Sequence, residues 1–236
     1  MHFTMILFDL DGTLLPMNQE EFTAGYFKLL AAKVAPFGYE PQKLVRSVWA
    51  GTAAMVKNDG NCTNEEAFWN TFVQIYGEEV LKDIPVFDEF YRTDFQQAKT
   101  LCGFNPKASE IVQKFKGAKF RVALATNPLF PAVATESRIR WAGLEPSDFE
   151  CYTTYENSSF CKPNPAYYQR LAEKLGVRPS ECLMVGNDVD EDMVAAGTIG
   201  MNVFLLTDCI INKENKDISN YPHGDFDALE KYVLGE

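Results

Sequence analysis

Histidine is nearly absent from this chain: of 236 residues only His2 and His223 are histidine, both near the ends. The six cysteines (Cys62, Cys102, Cys151, Cys161, Cys182, Cys209) form no C-x-x-C pair and fall on strand-like, helical and loop segments alike. A structural zinc site is therefore not expected, and the thiols read as buried or partly buried groups in a reducing compartment. Positive charge is also short, with 22 Lys and Arg against 33 Asp and Glu and a formal charge of -11. Nucleic acid and anionic membrane both need a positive field over an extended face, so neither is expected as the main partner. No apolar run approaches membrane-spanning length, and no basic flank, apolar stretch and small-residue cleavage site open the chain. The expectation is a soluble, cytoplasmic protein. With 15 Gly, 12 Pro and 46% hydrophobic residues, the composition is that of a globular chain, long enough for a core domain carrying an insertion.

Four short apolar runs that end in polar or small residues read as buried parallel strands: MILFDLD (5–11), RVALATN (121–127), CLMVGND (182–188) and MNVFLLTD (201–208). FECYTT (149–154) is a weaker fifth candidate. Between them lie helical patterns over 106–117, 131–143 and 164–176, the last two closed by Gly143 and Gly176 at positions suited to a left-handed C-cap. Alternation of this kind predicts an α/β fold, a doubly wound parallel sheet with helices on both faces. One interval breaks the rhythm. Residues 16–100 contain no strand-like run and read as helices over 20–34, 42–57, 64–76 and 86–97. Some 85 residues is too long for a loop. The expected division is a core of residues 1–15 and 101–236 with an all-helical insertion, 16–100, leaving after the first strand.

Open parallel sheets bind ligands beyond the carboxyl ends of their strands. Asp9 and Asp11 stand at the first such end, two apart and so on one face of an extended strand, with Gly12 free to turn the chain after them. Two carboxylates so placed repel unless a cation intervenes, and oxygen-only donors favour magnesium. The same D-x-D-G string also suits a plain turn. Asp188, Asp190, Glu191 and Asp192 follow the third strand. Acidic residues there also favour a helix dipole, but four in five positions are more than that dipole needs. Thr126 and Asn127 end the second strand with a hydroxyl and an amide able to donate to a phosphate oxygen. Lys162 lies in the proline-stiffened loop CKPNP, where it would supply the fixed cation that an acidic phosphate site needs.

Taken in order, FDLDGT (8–13), ATN (125–127), CKPNP (161–165) and VGNDVDED (185–192) resemble the four motifs of the haloacid dehalogenase superfamily of phosphohydrolases. The resemblance covers Met5 to about Thr207, and the insertion after the first motif looks like that family's helical cap. It implies a hydrolase that cleaves a small phosphorylated metabolite with Mg2+ as cofactor. By the same resemblance Asp9 is the nucleophile that becomes a phosphoaspartate, and Asp11 the acid and then the base. Thr126, with Asn127 beside it, would bind phosphate, and Lys162 would neutralise phosphate and nucleophile. The metal would take the Asp9 carboxylate, the Asp11 backbone carbonyl, and Asp188 with Asp192 as ligand or supporting residue. One departure leaves two alignments open, because Asn187 follows Gly186 where the family commonly has Asp. Either Asp188 is the direct ligand or Asn187 is a neutral one. Asp190 and Glu191 read as helix-start residues.

Asp11 favours phosphate hydrolysis over dehalogenation, whose enzymes replace that residue. A sugar-phosphate mutase is the enzymatic alternative, weakened because residues 16–100 hold no histidine to gate Asp11. A phosphonate hydrolase would need a Schiff-base lysine, and Lys28, Lys33, Lys57 and Lys82 stand in no recognisable context for one. A catalytically idle binding protein would have lost one of Asp9, Asp11, Thr126 or Lys162, and all are present. Arg46 and Lys57, eleven apart, are placed to reach a second anion from one helix face, although solvated surface charge is the commoner role. Phe22, Tyr26, Trp49, Phe68 and Trp69 read as packing of the inserted helices. Oligomeric state is not legible.

Overall fold

The computed structural model describes residues 3–235. Each apolar run shortens to its non-polar part: β1 is Met5–Phe8, β2 Arg121–Leu124, β3 Cys182–Gly186 and β4 Asn202–Leu206. A two-residue strand β5, His223–Gly224, completes a parallel sheet in the order β2-β1-β3-β4-β5. Only two residues long, β5 carries no periodicity from which it could be read. The fifth candidate, 149–154, runs along the free side of β2 and makes a single parallel bridge between Leu124 and Tyr152.

Alternation along the strands assigns their side chains to two faces. Ile6, Phe8, Val122, Leu124, Leu183 and Val185 pack with Ile111 and Phe115 of helix α5 (Pro106–Gly117). Met5, Leu7, Ala123, Cys182 and Met184 face the other way, onto Tyr168 and Leu171 of helix α7 (Pro165–Leu175). Helices on both faces make this the doubly wound architecture expected from sequence.

The inserted helices are α1 (Gln19–Val34), α2 (Pro41–Val56), α3 (Asn64–Tyr76) and α4 (Ile84–Arg92), followed by a 3₁₀ stretch over Asp94–Leu101. Their starts carry the expected chemistry: Asn18 and Glu40 cap α1 and α2, and Thr63 with Glu66 forms a capping box on α3. The chain leaves and returns side by side, because Met17 and Cys102 form an antiparallel bridge and Gly103 N–H donates to Pro16 at 2.7 Å. No helix among the described residues is long and apolar enough to cross a membrane.

A cluster of aromatic rings centred on Phe95 joins the inserted helices to the sheet-bearing part. Phe95, fully buried, lies 5.2–6.3 Å between centroids from Phe22, Tyr26, Phe90 and Tyr91 on one side and from Phe130 and Trp141 on the other. Trp141 belongs to helix α6 (Ala132–Trp141). A cavity at this joint cannot be refilled without moving both parts, so Phe95→Ala is expected to lower unfolding free energy by about 3–5 kcal/mol. Urea denaturation measures it, and a loss below about 1 kcal/mol would show that the joint does not depend on this ring.

Candidate active site

Parallel strands β1, β2 and β3 end at one edge of the sheet, and the residues following them meet there. Asp9 continues β1, with its N–H on the Val185 carbonyl at 2.9 Å. The turn after it closes through Gly12 N–H to Leu15 O at 2.8 Å and Leu15 N–H to Leu10 O at 2.9 Å. Gly12 sits at φ +85, and a Cβ there would lie 2.3 Å from the Asn187 amide nitrogen, so both conformation and space require glycine. Thr13 is thereby folded back, its hydroxyl shared between Asp9 Oδ2 (3.2 Å) and Asn187 Oδ1 (3.0 Å).

Lys162 is the centre of the arrangement. Its side chain is 1% exposed, and its Nζ donates to Asp9 Oδ1 at 2.8 Å and to Asp192 Oδ1 at 2.6 Å. Burial works against its charge, but Asp192 and Asp9 outweigh that and hold the ammonium well above its usual pKa. Asp9 responds in the opposite sense. Burial pushes its carboxyl up to about 7, with Lys162 opposing the rise and Asp192 adding to it.

Both oxygens of Asp192 accept hydrogen bonds from the protein. Its Oδ2 accepts the backbone N–H groups of Asn187 (3.1 Å) and Asp188 (3.0 Å), while Oδ1 meets Lys162 and the Tyr168 hydroxyl (3.3 Å). Among the two roles considered from sequence, ligand or support, these contacts are those of a residue that supports Lys162. Asp188 caps the π-helical turn Val189–Val194 through Oδ1, which accepts from Asp190 N–H (2.8 Å) and Glu191 N–H (2.9 Å). Its other oxygen takes no part in that cap. The Asn187 side chain accepts from Thr13 and donates to the Cys209 carbonyl at 2.7 Å.

Thr126 is buried, and its carbonyl accepts from the hydroxyls of Thr153 (2.6 Å) and Tyr167 (2.9 Å), which hold the end of β2 in place. Asn127, expected to donate to phosphate, has a different side-chain environment. Its amide nitrogen donates to Glu191 (3.0 Å) and to the Lys162 carbonyl (3.4 Å), and its oxygen accepts from Lys162 N–H (3.3 Å). It ties the lysine loop to the π-helical turn.

Three participants were not foreseen. Arg138, 1% exposed on α6, pairs through Nη1 with Asp11 Oδ2 and lies 4.4 Å over the Phe130 ring. Within the sequence R-I-R-W its charge reads as a solvent-facing helix position; only the packing of α6 turns it inward. Glu191 stands in the first turn of the π-helical segment, as read from sequence, and also lines the same cavity as Asp9, Asp11, Thr126, Asn127, Asp188 and Asp192. Burial holds the carboxyls of both Glu191 and Asp188 above their usual pKa range. Thr13 lay inside the first motif but was not singled out.

These groups fit an oxygen-loving cation. Asp11 Oδ1 is buried with no hydrogen-bond partner, and six carboxylates line a cavity on whose lining the exposed Lys213 is the one cation. No cluster of three or more His, Cys, Asp or Glu side chains able to hold a metal occurs among the described residues.

A sequence model of the haloacid dehalogenase-like hydrolases matches residues 3–200, and the chain belongs to that family. It is a hydrolase of the α/β class with that family's core fold. Among curated proteins, a phosphoglycolate phosphatase of Vibrio vulnificus (strain CMCP6) is 29% identical over 205 residues, covering 86% of this chain and 83% of that one. Among solved structures, the fold is similar to a predicted phosphoglycolate phosphatase from Haemophilus somnus 129pt (TM-score 0.60, 18% identity, 98% of each chain). It is also similar to a 2-haloacid dehalogenase from Pseudomonas syringae pv. Tomato DC3000 (TM-score 0.65, 18% identity, 99% of each chain).

The dependence of Lys162 on Asp192 is open to test through the last residue of β3. A Cβ at Gly186 would lie 2.3 Å from Asp192 Cγ and 2.6 Å from its Cβ, inside a carboxylate pinned by four partners. Gly186→Ala is expected to displace Asp192 and lower stability by about 1–3 kcal/mol. Thermal unfolding reads it, and an unchanged Tm would mean that Asp192 is free to move.

Proposed function

We propose that this chain is a magnesium-dependent phosphomonoester hydrolase acting through a phosphoaspartate on Asp9. The observation that carries the reading is the buried pair of Lys162 with Asp9, placed against a cavity that Asp11 also lines, with Asp11 Oδ1 buried and without a hydrogen-bond partner. In the first step an Asp9 carboxylate oxygen attacks phosphorus, the ester P–O bond breaks, and Asp11 donates its proton to the departing alkoxide. Water then attacks the phosphoaspartate. Asp11 takes its proton, and inorganic phosphate leaves with Asp9 regenerated.

Lys162 keeps one Asp9 oxygen oriented and offsets the charge gathered there, while Asp192 and Tyr168 keep Lys162 from swinging away. The Thr126 hydroxyl is the group at the end of β2 assigned to the phosphoryl oxygens; Asn127 acts on the lysine loop instead. Arg138 fixes one oxygen of Asp11, which leaves Oδ1 to meet the leaving group. Magnesium, held by the Asp9 carboxylate, the Asp11 carbonyl and Asp188, with Asn187 as the neutral alternative, would screen nucleophile from phosphate dianion and stabilise transition-state charge.

The antiparallel bridge of Met17 with Cys102 supports reading residues 16–100 as a cap on a core of 1–15 and 101–236. A small phosphorylated metabolite is the substrate class, and the name of the Vibrio vulnificus relative puts phosphoglycolate among the candidates.

Asp9→Asn is expected to lower phosphate release by at least about a thousandfold with circular dichroism unchanged, and chelating the divalent cation is expected to silence the wild type. Unchanged turnover in the variant would overturn the mechanism. Stoichiometric isomerisation of a sugar phosphate without phosphate release would replace hydrolase by mutase.

A further inference from the structure

We infer that the phosphomonoester cleaved here carries an uncharged, apolar leaving group, a small aryl-bearing or alkyl alcohol, and not a second anion. The inference rests on the phosphatase reading and concerns the part of the substrate beyond the phosphate. The cavity over Asp9 has a volume of about 280 Å3. Its floor is the acidic end of the sheet, and its walls on the side of the inserted helices are aromatic, with Phe22, Tyr26, Phe27, Trp49, Phe68 and Tyr91 among them.

Charge on those walls decides the class. Residues 16–100 carry eight lysines and arginines, and none lines the cavity. Arg46 and Lys57, the pair placed by spacing to reach a second anion, are both exposed and outside it. The charged side chain that the inserted helices do contribute is Asp88, an acid. A carboxylate on the leaving group would therefore lose its water between acidic groups and the negative faces of aromatic rings, with the exposed Lys213 the one cation on the lining. An apolar group meets no such penalty and gains from leaving water, at about 25 cal/mol per Å2 buried.

Trp49 supplies a separate observation. Packing of the inserted helices accounts for Phe22, Tyr26 and Trp69, which are buried, but Trp49 remains 52% exposed while lining the cavity. Its ring lies 5.6 Å from that of Phe27, tilted by 54°. An indole left half in water beside a cavity is surface that a bound ring would cover. Apart from Asp88, the polar groups among these walls are neutral: the hydroxyls of Tyr26 and Tyr91 bond to each other at 2.9 Å, and Thr23 and Thr52 line the same space.

The test compares benzyl phosphate with phosphoglycolate on the full chain with magnesium, by phosphate release. Both release a primary alkoxide, so the comparison isolates the walls from leaving-group reactivity. Benzyl phosphate is expected to have the larger kcat/KM by at least about tenfold. In Trp49→Ala the ratio of the two kcat/KM values is expected to fall by about tenfold, a quantity insensitive to any loss of folded protein. Equal or better turnover of phosphoglycolate, abolished by Asp9→Asn, would overturn this inference and leave the phosphatase reading intact. An unchanged ratio in Trp49→Ala would also overturn it, by removing Trp49 from the substrate's surroundings. If neither compound nor a broader phosphomonoester panel gives release that depends on Asp9, the phosphatase reading itself fails.

Discussion

A lysine ammonium almost wholly removed from water persists only if carboxylates surround it, and this constraint organises the site. Lys162 meets it with two, Asp9 and Asp192, at 2.8 and 2.6 Å. Every neighbouring contact serves to keep them there. Asp192 is fixed by two backbone N–H groups at the end of β3, Asp9 by the β1–β3 ladder, and the lysine loop by the side chain of Asn127. The two glycines at Gly12 and Gly186 leave room for it, because a side chain at either would collide with Asn187 or Asp192.

Such an arrangement is not neutral. One buried lysine cannot offset Asp9, Asp192, Asp188 and Glu191 together, and burial leaves Asp9, Asp188 and Glu191 with raised pKa values. The excess negative charge is what a divalent cation would offset. Arg138 answers a second part of the problem by pairing with Asp11 from α6, and through Phe130 that arginine is also linked to the aromatic joint around Phe95. The machinery at the sheet edge and the packing of the inserted helices are thus parts of one contact network.

The four principal strands were legible because parallel strands covered on both faces must be apolar throughout, and no other segment of the chain has that character. The inserted helices were legible from their period and their caps. β5 was not, since two residues carry no pattern, and 149–154 was only half right because its pairing with β2 stops at one bridge. In the site, Asp9, Asp11, Thr126, Lys162 and Asp188 could be singled out because each ends a strand or interrupts a loop with unusual chemistry. Arg138 and Glu191 could not, because a charged residue on a helix reads as solvated unless its neighbours in space are known. The same limit applied to Phe22, Tyr26, Trp49, Phe68 and Trp69, which read as packing and also line the cavity.

The sequence by itself therefore determined the order of elements, the helical character of the stretch between β1 and β2 and the chemical inventory at the strand ends, since these follow from periodicity and from residue types close together in the chain. Tertiary structure decided which oxygens are free and which are taken: Asp192 to Lys162, Asn127 to the lysine loop, Asp11 to Arg138, and the cationic residues of the inserted helices to places away from the cavity. Those assignments depend on distances between segments as much as 174 residues apart, as for Thr13 and Asn187. Hydrogen bonding and desolvation act over a few ångströms of space, and spacing along the chain carries no measure of that distance.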